Sequence, residues 1–117
     1  MTVKKDNFTD AQLYAQIISF FGAMKSVLDL VKKNKFEPFV VAALLENTLG
    51  RLEYLESVIN KSGCMTVRIA EALEGLSFGI EEKRIALEEN RCTNEEVEEF
   101  IATTAKEHLY SLARIFD

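Results

Sequence analysis

The chain has no tryptophan, one histidine, one proline, two cysteines and five glycines in 117 residues, and each scarcity removes a class of protein. With few helix breakers and 48% hydrophobic residues, it is neither disordered nor collagen-like. Two cysteines cannot make a disulfide scaffold. Cys64 and Cys92 fall in two predicted connections, and an unbroken helix of about 25 residues between them would hold them nearly 40 Å apart, beyond disulfide reach. They are expected to be free thiols. A single histidine leaves no metal-ligand spacing.

Positive charge is also in short supply: 14 Lys and Arg against 19 Asp and Glu, a formal net charge of −5. Residues 1–36 carry six positive and three negative side chains, and residues 37–117 carry eight and sixteen. There is no sizeable basic face for a nucleic-acid duplex. The cluster Lys32, Lys33, Lys35 closes the first predicted helix, where cations complement the helix dipole. Long apolar runs are missing as well. Phe39 to Leu45 is apolar on every side but ends at Glu46, whereas a membrane span needs about 20 such residues. That run is expected to be surrounded by protein, with no membrane partner. The opening Met1-Thr-Val-Lys-Lys-Asp6 leads into polar residues and a capped helix rather than an export signal, so a cytoplasmic protein is expected.

Helical periodicity is what the chain does have, most completely from Pro38 to Ile59. Val41, Leu45, Thr48, Leu52, Leu55 and Ile59 recur at steps of four and three, which lines them along one side of a helix. Pro38 suits the first turn, where its missing N–H costs nothing. Before it, Thr9 and Gln12 form a capping box, and Phe8 can staple onto Leu13. Leu13, Ile17, Phe20, Met24, Val27 and Val31 then repeat the same spacing. A second flank, Tyr14, Ile18, Phe21 and Leu28, lies about 60 to 140° round and widens the apolar stripe.

Gly63 ends the second helix, with Ser62 or Thr66 capping the third. In the third, Ile69, Leu73, Leu76 and Ile80 keep the pattern. Lys83 takes the next seam position, and apolar residues resume at Ile85 and Leu87 out of step. With Gly75 and Gly79 one turn apart, this predicts a kink or break near Gly79; the alternative is that the glycines admit a close neighbour. Thr93 and Glu96 box the start of a fourth helix, whose apolar face is Val97, Ile101, Ala105, Leu109, Leu112 and Phe116. Four amphipathic segments with short connections predict an all-α fold: one domain over residues 1–117, an antiparallel four-helix bundle in up-down-up-down order.

Candidate chemistry is sparse. Eight glutamates between Glu81 and Glu99 resemble a metal site only in number. Glu95 and Glu96 serve the helix start, and Glu107 precedes His108 directly, where the two side chains diverge rather than forming a Glu-x-x-His pair. His108 lies on or beside the core face, as a half-buried structural histidine would. Glu107 to Ser111 lacks the lysine and glycine that a phosphorelay histidine carries nearby. No catalytic, cofactor-binding or metal-ligating residue is assigned.

What remains is apolar surplus: Tyr14, Ile18, Phe21, Phe39 and Val40 exceed the needs of one core, unless a tight core absorbs all five. They are the predicted partner-binding residues of a non-enzymatic interaction or regulatory module, self-associating through helices one and two as a homodimer. Two other readings stay open. One is an inhibitor or immunity-type protein whose acidic Glu81-to-Glu99 surface docks on a basic partner. The other is a small-molecule-binding or metal-dependent helical enzyme with a pocket at Gly75 and Gly79, lined by His108.

Overall fold

The computed structural model describes residues 9–116. The Phe8 staple and the opening residues that bear on export lie outside them. The described residues form helices and connections, with no strand among them. Helix α1 spans Asp10–Lys33, α2 Pro38–Ser62 and α3 Val67–Glu88. The fourth helix of the bundle has three parts: α4 (Asn94–Phe100), a π-helical segment (Ile101–Ala105) and α5 (Lys106–Phe116). Helical backbone angles at Phe100, Ile101 and Lys106 make these parts one continuous helix.

Local chemistry sets the helix ends. The Thr9 hydroxyl accepts from the Gln12 N–H at 3.1 Å, and the Gln12 side chain accepts from the Thr9 N–H at 2.8 Å. Thr93 and Glu96 repeat the reciprocal pair at 3.2 and 3.1 Å. Each box satisfies two backbone donors that the first turn leaves orphaned. Pro38 opens α2, and Gly63 closes it at φ +78°, where a side chain would be strained. Thr66, not Ser62, caps α3, because Ser62 is still inside α2 and donates its hydroxyl to the Ile59 carbonyl at 2.6 Å. After α3 the left-handed residue is Asn90, at φ 59°. The Asn90 and Arg91 N–H groups then turn back to the carbonyls of Leu87 and Ala86, a Schellman closure.

The helices form a ring in which α1 packs on α2 and α5, α2 on α3, and α3 on α5. Asn94 Nδ2 donates to the Phe36 carbonyl at 2.9 Å, tying the start of the fourth helix to the α1–α2 connection. The first and third connections therefore share one end of the bundle, as up-down-up-down order requires. The rod measures 54 × 22 × 21 Å. The six α1 seam residues and the six α2 seam residues are all buried, as are Ile69, Leu73, Leu76 and Ile80 of α3. Removing each large aliphatic side chain from water contributes roughly 1.5–3 kcal/mol. Thr48 fits the seam because its hydroxyl donates to the Leu44 carbonyl at 2.9 Å.

Three expectations are corrected. First, α3 runs unbroken through Gly79, which removes the break and leaves the alternative, that its glycines admit a close neighbour. Its glycines face the fourth helix: a Cβ on Gly79 would lie 2.6 Å from the Phe100 ring, and one on Gly75 would lie 2.7 Å from His108 Cε1. Their role is close approach. Second, Leu87 is in step, four residues beyond Lys83, and only 1% exposed. Lys83 interrupts the stripe without ending it. Third, the start of α2 is not enclosed. Phe39 is 69% exposed and Val40 only partly buried, because a helix in a four-membered ring has two neighbours and an uncovered outer side.

These glycines make a contrast that can be measured. Gly50 has nothing within 4 Å of an added Cβ, so Gly50→Ala should stabilise the protein by about 0.5–1 kcal/mol through helix propensity alone. Gly79→Ala meets a ring that is itself buried and should destabilise by about 1–3 kcal/mol despite the same propensity gain. Urea unfolding followed by circular dichroism checks both signs, and equal stabilisation by the two would show that Phe100 moves freely.

Candidate functional site

The five residues predicted to bind a partner do not form one patch. Tyr14 and Phe21 are half-buried against the core, and the Phe21 ring meets Tyr110 of α5 at 5.6 Å between centroids, tilted 57°. Ile18, on the same flank, is 44% exposed. Phe39 and Val40 sit beside the α1–α2 connection, at the level of the far end of α1. A rise of 1.5 Å per residue puts them roughly 20 Å along the rod from Ile18.

Sequence periodicity passed over Tyr54. It is 62% exposed on the side of α2 that turns toward α1 and lines a groove of about 420 Å³ with Gln16, Ser19, Asn47, Gly50 and Arg51. A signal for it existed. Tyr54 lies about 140° round from the Val41 seam, a lone aromatic among polar neighbours. Phe78 and Val67, at 69% and 75% exposed, stand singly on α3.

The acidic run has structural employment. Arg84 is clasped between Glu81 and Glu88, at 2.9 Å from the latter, and Arg91 pairs with Glu89 at 2.7 Å. Glu96 completes the cap. No cluster of three or more His, Cys, Asp or Glu that could hold a metal ion occurs among the described residues. The space beside Gly75 and Gly79 is filled by the imidazole of His108 and the ring of Phe100. His108 itself is half-buried.

Both cysteines are free: Cys64 half-buried, Cys92 buried. Burial pushes the Cys92 thiol up, and the nearby Glu96 carboxylate adds to the shift. The folded thiol therefore keeps its proton to higher pH than the unfolded one, so this group's contribution to stability is lost as pH rises through the folded value.

No protein-family model matches the chain, and neither a curated protein nor a solved structure matches it significantly. The functional reading accordingly rests on the molecule's own surface.

A protonated, buried thiol is a poor nucleophile. Iodoacetamide at pH 8 should alkylate Cys64 first and reach Cys92 only when urea opens the bundle. Mass spectrometry of timed digests reads the order, and equal rates in the native protein would contradict the burial of Cys92.

Proposed function

We propose that this chain is a non-enzymatic protein–protein interaction module that self-associates through α1 and α2 as a two-fold dimer. One observation carries the reading. Ala11 to Met24 contains no Asp, Glu, Lys or Arg, although at 28% charged residues fourteen positions would hold about four. The stretch is not all core: Ala11, Ala15, Ile18, Ser19 and Gly22 face solvent. Its apolar content is high enough that α1 alone, among the described residues, has the length and hydropathy of a membrane-crossing helix.

A surface without charge loses little on dehydration, and small residues let another backbone come close. Gly22 sharpens the point. It costs about 1 kcal/mol of helix propensity relative to alanine, yet nothing in its own chain lies within 4 Å of where a Cβ would be. A helix from a second copy would supply the packing that the chain does not. Tyr54 and Arg51 border the adjoining groove, and tyrosine and arginine are side chains that commonly anchor interfaces. A two-fold contact uses the same patch on both copies, so one face serves as both donor and receiver.

Light scattering across a hundredfold dilution from about 100 µM should give, at the upper end, twice the 13.3 kDa mass of the chain. Ile18→Glu and Tyr54→Glu, both at exposed positions, should give helical monomers. Charges at Tyr14 or Phe21 would instead strike residues half-buried against the core. A wild-type monomer at every concentration would overturn the proposal.

A further inference from the structure

On the opposite flank of α1, between it and the fourth helix, lies a separate cleft of about 290 Å³. Met24, Ile101 and Leu109 make its floor, and all three are buried core residues. Phe21 and Tyr110 wall one side with their tilted ring pair. The charged residues lining it are Lys25 and Lys106, both exposed, with no carboxylate among the lining side chains. The Lys106 ammonium lies 5.6 Å from the centre of the Tyr110 ring, which holds it at the rim by a cation–π contact. The ion pairs formed among the described residues engage Arg84 and Arg91, and neither Lys25 nor Lys106.

Part of the cleft is backbone of unusual form. Ile101 and Ala102 belong to the π-helical segment, and such segments recur at functional sites. An apolar floor with two cations at the rim is complementary to one kind of molecule, with an apolar body and an anionic head. The volume is at the lower limit of small-molecule sites, about 300 Å³, which restricts the body to about one aromatic ring and a short chain. Other exposed cations exist, among them Lys32, Lys33 and Lys35, but in this cleft two lysines stand at the rim of an apolar floor with no lining carboxylate.

We propose that the cleft binds a small amphipathic carboxylate, its apolar body on Met24, Ile101 and Leu109 and its carboxylate held by Lys25 and Lys106. The site does not rest on self-association: the groove that carries Tyr54 is on the other flank of α1, and Ile18, though on this flank, is not among the residues lining the cleft.

The probe is 4-phenylbutyrate, titrated into the full chain at pH 7 and followed by amide NMR shifts. Saturable shifts centred on Lys25 and on Ile101 to Lys106 are expected, with Kd at or below about 1 mM. The neutral 4-phenylbutanol should bind at least tenfold more weakly. Lys25→Gln with Lys106→Gln should weaken phenylbutyrate by tenfold or more without loss of helicity, because both positions are exposed. Ala102→Trp, also at an exposed position, should block the cleft, while Tyr54→Glu should leave binding unchanged. Equal affinity for acid and alcohol, indifference to the double lysine variant, or no saturable shift up to 10 mM would each overturn the proposal.

Discussion

Phe100 lies against the bare backbone of Gly79, and a single methyl group there would stand 2.6 Å from the ring. That contact sets how closely α3 and the fourth helix approach, and the fourth helix is shaped to keep it. Val97, Ile101, Ala105 and Leu109 are spaced four, four and four, and all are buried. On a regular helix three such steps turn about 120° away from the starting face, which would carry Leu109 out of the core. A π-helical turn closes over five residues instead of four and takes up the excess. Phe100 before it and His108 after it both reach α3, at Gly79 and Gly75. The mid-helix glycines, costly by propensity, are the counterpart of that irregular turn.

The ring arrangement then decides what is left for function. Each helix has two neighbours and one outer side, so the bundle presents four outer faces. On α2, α3 and the fourth helix these faces carry glutamates, several tied to arginines or to a helix start. The N-terminal half of α1 carries none, and its two flanks lead to different clefts, one polar toward α2 and one apolar with lysines toward the fourth helix. The same helix thus separates two surfaces of unlike chemistry.

Spacing marks single residues of this surface but not their grouping. The apolar spacing leaves Ile18 and Phe39 as surplus, and both are exposed. Tyr14 and Phe21 belonged to the same apolar flank by spacing, but spacing cannot tell whether a neighbouring helix comes near enough to cover them. Tyr110 does so for Phe21. Tyr54 escaped because periodicity searches for residues that agree with their neighbours, and an isolated aromatic on a polar face does not. The π turn was written in the spacing Val97, Ile101, Ala105, Leu109, an uninterrupted series of fours that a regular helix cannot keep on one side.

The sequence by itself determined the four helices, the ends of the first two, the start of the fourth and the face each turns inward, because capping boxes, a left-handed glycine and steps of four and three act within a few residues of one another. The seams of α1 and α2 and the caps at Thr9 and Thr93 needed no tertiary information. Only the tertiary structure decided that Gly75 and Gly79 receive side chains and that Phe39 is left outside. Those outcomes depend on which helix lies opposite and how closely, a balance of contacts between residues far apart in the chain. Asn94 reaching back to the Phe36 carbonyl is one such contact, and no local pattern announces it.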